Sequence, residues 1–223
     1  MFLHGWGCDH KTLMPFINKL KENHTCICFD FFGFGKSKCV SKPLTLKDYK
    51  SAVVTSLKRL GYKKVDILAH SFGARVALML ASENEIEIGK MFLVGPAGIK
   101  PKFSLKTFIK IRFYKFLKFL SRLRLYPKAK LEKWGSDDYK NLSPEMKQTF
   151  KNVISVDLKD RLPKISAETF VVIGRNDCAT PVYMGKILKK KIKNCRFEIV
   201  EDAGHFCFLE KTSVSFLAYC FFK

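Results

Sequence analysis

The stretch from Val65 to Ser82 constrains this chain more than any other. An apolar run, Val65 to Ala69, passes through His70-Ser71-Phe72-Gly73-Ala74 into a helix-like run, Arg75 to Ser82. A strand that enters a helix through so few residues must turn sharply, and small residues are needed where the two approach. Ala69 and Gly73 flank Ser71 with the spacing of a small-x-Ser-x-Gly pentapeptide. A serine held in such a turn projects its hydroxyl above the carboxyl edge of a parallel sheet. Alone the pattern is weak, because serines between small residues arise often by chance. Its weight comes from two partners further along the chain.

A second apolar run, Thr169 to Ile173, ends in Gly174-Arg175-Asn176-Asp177, and Pro181 suits the first turn of a following helix. A third, Arg196 to Val200, leads into Glu201-Asp202-Ala203-Gly204-His205-Phe206. Asp177 and His205 are thus expected at strand ends, on the same edge as Ser71. Taken separately they read as a loop-capping aspartate and a surface histidine. Taken together, His205 can accept the proton of Ser71 while Asp177 fixes the tautomer and stabilises the imidazolium.

Two glycine turns complete the pattern: His4-Gly5-Trp6-Gly7, after the apolar start Met1-Phe2-Leu3, and Asp30-Phe31-Phe32-Gly33-Phe34-Gly35-Lys36-Ser37. With the Ser71 turn, Gly174-Arg175-Asn176-Asp177 and Gly204-His205, these motifs resemble the α/β-hydrolase superfamily. The order serine, acid, histidine is the one that superfamily uses. Within it the chain resembles the small carboxylesterases and meta-cleavage-product hydrolases, over its whole length. The resemblance implies Ser71, Asp177 and His205 as catalytic residues. It also implies an oxyanion hole made by the backbone N–H groups of Trp6 and Phe72. His4 is expected to shape its turn by hydrogen bonding and not to act as a base. Ala69 stands where glycine is commoner, and Phe32 where proline is usual. Family members carry two further strands before the His-Gly turn, so these are expected to be missing here. The uncovered edge is then expected at Thr25 to Asp30, with self-association or reduced stability as its consequence.

The predicted layout alternates strand and helix, which calls for a mostly parallel sheet with helices on both faces. Strands are predicted at Phe2–Leu3, Thr25–Asp30, Val65–Ala69, Lys90–Val94, Thr169–Ile173 and Arg196–Val200. Helices are predicted at Thr12–Glu22, Thr45–Leu60, Phe72–Ser82, Val182–Lys190 and Lys211–Phe221. Leu46, Tyr49, Val53, Ser56, Leu57 and Leu60 recur at three- and four-residue steps and mark a core-facing stripe. The alternation breaks between Gly98 and Ser166. Residues 1–98 and 166–223 therefore form the predicted α/β-hydrolase core, and 99–165 a helical cap insertion. Helix signals inside that insertion are Ser143-Pro144-Glu145 and the approach Val156-Asp157-Leu158. Phe103, Phe108, Phe113 and Trp134 are the aromatic candidates for the substrate pocket wall.

At 223 residues, 47% hydrophobic and with 13 glycines, the chain can bury one sizeable core. The eight cysteines show no Cys-x-x-Cys spacing and sit mostly in apolar runs, which suits buried thiols in a reducing cytoplasm. No secretory segment is expected from the start of the chain, and no apolar run reaches the ~18 residues of a membrane span. No metal or organic cofactor is implied. Gly33-Phe34-Gly35-Lys36-Ser37 lacks the upstream spacing of a phosphate-binding loop.

The charge is +21, with 41 Lys and Arg against 20 Asp and Glu. Twelve of those basic residues lie between Lys100 and Lys133, where Glu132 is the one acid. This is read either as a solvated surface or as attraction of an anionic substrate, an acidic carrier protein or anionic lipid. Nucleic acid is the weakest partner, since no binding motif is present. The function predicted is cytoplasmic hydrolysis of small or medium acyl carboxylic esters through an acyl-enzyme. Alternatives are carbon–carbon bond hydrolysis of a dienoate with the same triad, and a non-catalytic binding protein that keeps the fold. Serine at the turn argues against the related dehalogenases and epoxide hydrolases, which use aspartate there.

Overall fold

A computed structural model describes residues 1–37, 41–101 and 142–223, together with residues 112, 113, 117, 119, 121 and 127. Six strands form one sheet: β1 (Phe2–Leu3), β2 (Cys28–Phe29), β3 (Lys64–His70), β4 (Glu87–Val94), β5 (Glu168–Gly174) and β6 (Cys195–Val200). Their order is β2-β1-β3-β4-β5-β6 and every pairing is parallel. Seven helices accompany them among the described residues: α1 (Met14–Leu20), α2 (Leu46–Arg59), α3 (Phe72–Glu83), α4 (Pro144–Ser155), α5 (Val182–Lys191), α6 (Cys207–Glu210) and α7 (Ser213–Phe222).

The strands are apolar on both faces because both faces are covered. Leu3, Ile67, Ala69, Met91, Leu93, Val171 and Ile173 pack in one core with residues of α2, α3 and α5. Their neighbours in sequence, Phe2, Leu68, Phe92, Val94 and Val172, point the other way into a core built with α1, α6 and α7. Successive side chains of a strand alternate between faces, so a two-sided sheet reads as a continuous apolar run.

Local chemistry sets the element ends. Thr45 and Asp48 form a reciprocal capping box at the start of α2. Asn84 ends α3 in the left-handed region, with φ 55. Ser143 accepts from the Met146 N–H at the start of α4, where Pro144 takes the first helical turn as its sequence predicts.

Several predicted elements differ in extent. Thr25–Asp30 shortens to Cys28–Phe29, which lies at the edge of the sheet among the described residues and pairs with β1 at two register positions, Phe2↔Cys28 and Leu3↔Phe29. Thr12–Glu22 divides into a 3-10 turn, His10–Leu13, capped by the Asp9 carboxylate, followed by α1 with Pro15 in its first turn. Lys211–Phe221 begins two residues later, as α7 (Ser213–Phe222), and the short α6 precedes it. The approach at Val156 leads only to a 3-10 turn, Leu162–Lys164. There the Leu158 N–H donates to the Gly98 carbonyl and the Asp157 carboxylate accepts from the Lys159 N–H, so the backbone is engaged outside a helix.

The chain leaves β1 for β2 on one side and returns across it to β3 on the other. The loops that follow β1 and β3 therefore diverge, opening a crevice at the carboxyl edge where ligands bind in open α/β sheets.

Candidate active site

Ser71 occupies that crevice. Its backbone has φ 50 and ψ −110, between the end of β3 and the start of α3. A side chain other than glycine is strained there, and the surroundings hold the turn in place. The Ser71 N–H donates to the Val94 carbonyl (3.0 Å), and the Ser71 carbonyl accepts from Ala97 N–H (3.2 Å) and Arg75 N–H (3.3 Å). The strand–helix approach is as close as the pentapeptide predicts: a Cβ added to Gly73 would lie 2.2 Å from the Leu3 carbonyl oxygen. Glycine alone fits.

β5 carries Asp177 to the same edge and β6 carries His205. The Ser71 Oγ lies 2.9 Å from His205 Nε2, and His205 Nδ1 lies 2.8 Å from Asp177 Oδ2. With the serine hydroxyl donating to Nε2, the proton of the neutral ring sits on Nδ1 and points at the carboxylate. Asp177 Oδ1 accepts from the N–H groups of Ala179 and Thr180, each at 2.8 Å. Oδ2 also accepts from the Thr180 hydroxyl at 2.8 Å. Burial pushes the Asp177 carboxyl up, but the hydrogen bonds from His205 and the Thr180 N–H outweigh it and hold the group below its ordinary value. A hydroxyl, an imidazole and an anionic carboxylate in this series can generate an alkoxide-like nucleophile and store its proton.

Trp6 and Phe72 flank the serine. Phe72 is the first residue of α3, so its N–H has no acceptor within the helix, and the helix end favours negative charge. Trp6 follows Gly5 in the loop after β1. Its ring packs against Phe72 (centroids 5.4 Å apart), Phe34 (4.9 Å) and Phe150 (5.1 Å). His4 is fully buried, and its Nδ1–H donates to the Gly5 carbonyl at 2.7 Å. The Phe31 N–H donates to its Nε2 at 3.0 Å. Both ring nitrogens are thus spent on fixing two loops, the structural role predicted for it.

Of the four pocket aromatics, Phe103, Phe108 and Trp134 lie outside the described residues, and Phe113 is exposed. Phe150, on α4, reaches the Trp6 ring from the described part of the 99–165 stretch. α4 is fastened to the rest of the molecule through polar groups. Thr149 accepts from the Leu44 N–H (2.9 Å), Asn152 donates to the Leu44 carbonyl (3.0 Å), and buried Arg75 donates to the Val153 (3.1 Å) and Val156 carbonyls.

Sequence reasoning passed over three residues that touch the site. Gly95 has φ 49, and a Cβ there would lie 3.1 Å from His205 Nδ1 and 3.2 Å from Asp177 Oδ2. The Gly95-Pro96 pair closing an apolar run at the carboxyl edge is the signal that marks it. His70 packs its ring on His205, centroids 4.8 Å apart, and its Nε2–H donates to the His205 carbonyl at 3.1 Å. The third is Thr180, whose position just before Pro181 reads as helix entry and hides its hydroxyl's role.

Residues 1–214 match the family model described as the alpha/beta hydrolase family. The chain belongs to the alpha/beta hydrolase family. It is 25% identical over 232 residues to a 2-hydroxy-6-oxo-6-phenylhexa-2,4-dienoate hydrolase of Comamonas testosteroni, covering 93% of this chain and 78% of that protein. It is equally 25% identical over 227 residues to a pimeloyl-[acyl-carrier protein] methyl ester esterase of Legionella pneumophila (strain Paris), covering 96% and 90%. Among solved structures it is similar to MGS-M2, an alpha/beta hydrolase enzyme from a Medee basin deep-sea metagenome library. The TM-score is 0.77 at 20% identity, over 99% of this chain and 87% of that one. The six-stranded parallel sheet is the sheet of the alpha/beta hydrolase fold. Among the described residues, no helix is long and apolar enough to cross a membrane, and no cluster of His, Cys, Asp and Glu could hold a metal ion.

Proposed function

We propose that this alpha/beta hydrolase cleaves carboxylic esters through an acyl-enzyme formed on Ser71. The observation that carries the reading is the position of His205, 2.9 Å from Ser71 Oγ on one side and 2.8 Å from Asp177 on the other. As Ser71 Oγ bonds to the substrate carbonyl carbon, its proton passes to His205 Nε2. The imidazolium is stabilised by Asp177, and the Trp6 and Phe72 N–H groups donate to the new oxyanion. Collapse expels the alcohol, which takes the proton from Nε2. Water then repeats the sequence and frees the acid and Ser71. These steps use no metal or organic cofactor.

In this reading residues 1–98 and 166–223 carry the machinery, and 99–165 covers it as a lid. Phe103, Phe108, Phe113 and Trp134 supply pocket wall, and the Phe150–Trp6 contact joins the lid to the oxyanion loop. The basic residues of the lid favour anionic or carrier-linked small and medium acyl esters. That preference accords with the carrier-linked ester named for the Legionella relative. A reducing, cytoplasmic location suits the free thiols of all seven described cysteines. Labelling with a fluorophosphonate, followed by p-nitrophenyl esters of rising acyl length, tests the reading. Absence of both labelling and hydrolysis would refute it. A second reading, carbon–carbon hydrolysis of a dienoate, is favoured by the Comamonas relative and uses the same residues. A dienoate substrate in the same panel separates the two.

A further inference from the structure

The Asp177 carboxylate receives four hydrogen bonds, two on each oxygen, which fills its usual acceptor capacity. Thr180 supplies two of them, its N–H to Oδ1 and its hydroxyl to Oδ2, both at 2.8 Å. One residue therefore grips both oxygens, and the carboxylate cannot rotate without breaking a bond to it. The hydroxyl shares Oδ2 with His205 and lies 3.4 Å from His205 Nδ1. The residue is buried, 4% exposed, so water cannot substitute for the hydroxyl freely. We propose that Thr180 is a positioning residue: its hydroxyl fixes the Asp177 oxygen that faces His205 and tempers how strongly that oxygen draws the imidazole proton. The inference rests on the reading of Ser71, His205 and Asp177 as one catalytic unit.

The hydroxyl has two effects on the pair. A hydroxyl that donates to Oδ2 withdraws charge from the atom that stabilises the imidazolium, so its removal makes His205 a stronger base. It also frees the carboxylate to swing, which loosens the orientation on which the proton transfer depends. Among the described residues, few titratable groups face His205. They are Asp177 from the loop after β5, His70 from the end of β3, and Glu210 of α6, whose carboxylate accepts from the neighbouring Gly204 N–H at 3.0 Å. Burial pushes His70 down to about 3, so it stays neutral where the enzyme works. A difference in the acid limb between variants therefore reports the His205–Asp177 pair.

Two near-isosteric changes separate a hydroxyl effect from a packing effect. Thr180→Val keeps the branched shape and loses the hydroxyl, while Thr180→Ser keeps the hydroxyl and loses a methyl. For Thr180→Val we expect kcat on a p-nitrophenyl ester to fall about tenfold with KM unchanged, as for a lost bond to a buried charge. The acid limb of kcat/KM should move up by roughly half a pH unit. Thr180→Ser should keep the wild-type limb and most of kcat. The reverse pattern, serine impaired and valine normal, would assign Thr180 to packing and overturn the proposal. So would two variants with unmoved limbs. In the full chain, NMR titration of the His205 ring supplies a readout that needs no turnover. The valine midpoint should rise and the serine midpoint should not. If the wild type proved inert towards esters, the functional reading would fail while this titration still judged the clamp.

Discussion

Gly95→Ala offers a sharp test of whether the backbone behind the His205–Asp177 hydrogen bond matters. An alanine at Gly95 meets two penalties. The first is conformational: φ is 49, where an L-residue with a Cβ costs about 1–2 kcal/mol. The second is steric: the new methyl would sit 3.1 Å from His205 Nδ1 and 3.2 Å from Asp177 Oδ2, so that pair must give by a few tenths of an ångström. Gly61 supplies the control, because its φ is 81 and a Cβ there meets nothing within 4 Å. Both alanine variants should lose roughly 1–2 kcal/mol, which for a chain of this size lowers Tm by about 2–8 °C. Only Gly95→Ala should lose turnover, by about ten- to a hundredfold, because displacement of that size at a catalytic hydrogen bond is costly.

The assay is ester hydrolysis at saturating substrate, read beside thermal unfolding and the rate of fluorophosphonate labelling. Gly61→Ala fixes what backbone strain alone does. Wild-type kcat in a folded Gly95→Ala protein would show that the His205–Asp177 pair tolerates intrusion, and would refute the reasoning. Equal losses of kcat in both variants would refute it too, by assigning the effect to general destabilisation.

Ser71→Ala should lower turnover by about a millionfold, and adding Asp177→Asn or His205→Ala should lower it little further, since groups acting as one unit are non-additive; multiplicative losses in the double variants would separate their roles. Gly73→Ala should destabilise by about 3 kcal/mol or fail to fold, because its Cβ would lie 2.2 Å from the Leu3 carbonyl oxygen; a denaturation midpoint like that of the wild type would contradict this. The folded-state pKa of Asp177 is depressed, so its contribution to stability is complete above the unfolded carboxylate value of about 3.9 and is lost as pH falls through the folded value. Urea unfolding from pH 6 downward should therefore show a smaller acid loss in Asp177→Asn than in the wild type. Reversal of Lys106, Lys110, Lys115 and Lys118 to Glu, residues outside those described, should slow hydrolysis of anionic or carrier-linked esters more than neutral ones at low salt, and equal effects would favour a merely solvated surface.

The parts legible in the sequence are those where a local pattern and a global role coincide. Ser71 stands out because the steric demands of its turn select small neighbours, and Gly73 records an actual contact with β1. Asp177 and His205 stand out because strands deliver them to one edge. β2 is less legible: Thr25 to Asp30 has strand composition, but pairing depends on what β1 offers, and among the described residues the β1 register takes in Cys28 and Phe29, with the Ile27 carbonyl accepting from the Phe2 N–H. The 3-10 turn at His10–Leu13 depends on Asp9 capping the Lys11 N–H, a contact that a helical reading absorbs. Gly95, His70 and Thr180 are illegible as site residues for a common reason. Gly95 reaches the pair from the loop after β4, His70 from the end of β3 and Thr180 from three residues past Asp177, and no periodicity connects them.

His70 illustrates how the fold makes one neighbour harmless. A histidine in contact with a catalytic imidazole is a hazard if it titrates, because a cation at the 4.8 Å between their rings opposes the imidazolium by about 3 kcal/mol at an effective dielectric of about 20. Burial removes the hazard. The ring lies between His205, Phe206 and Phe208, and desolvation is the largest influence taking its pKa down to about 3. In the neutral ring the single proton sits on Nε2, where it holds the His205 carbonyl, while buried Nδ1 has no partner among the described residues. That unpaired nitrogen costs stability. Protonating it would cost more, since the charge would be buried and set against His205. In the proposed mechanism, the residue beside Ser71 can thus hold the His205 loop by hydrogen bonding without competing for the proton that Ser71 gives up.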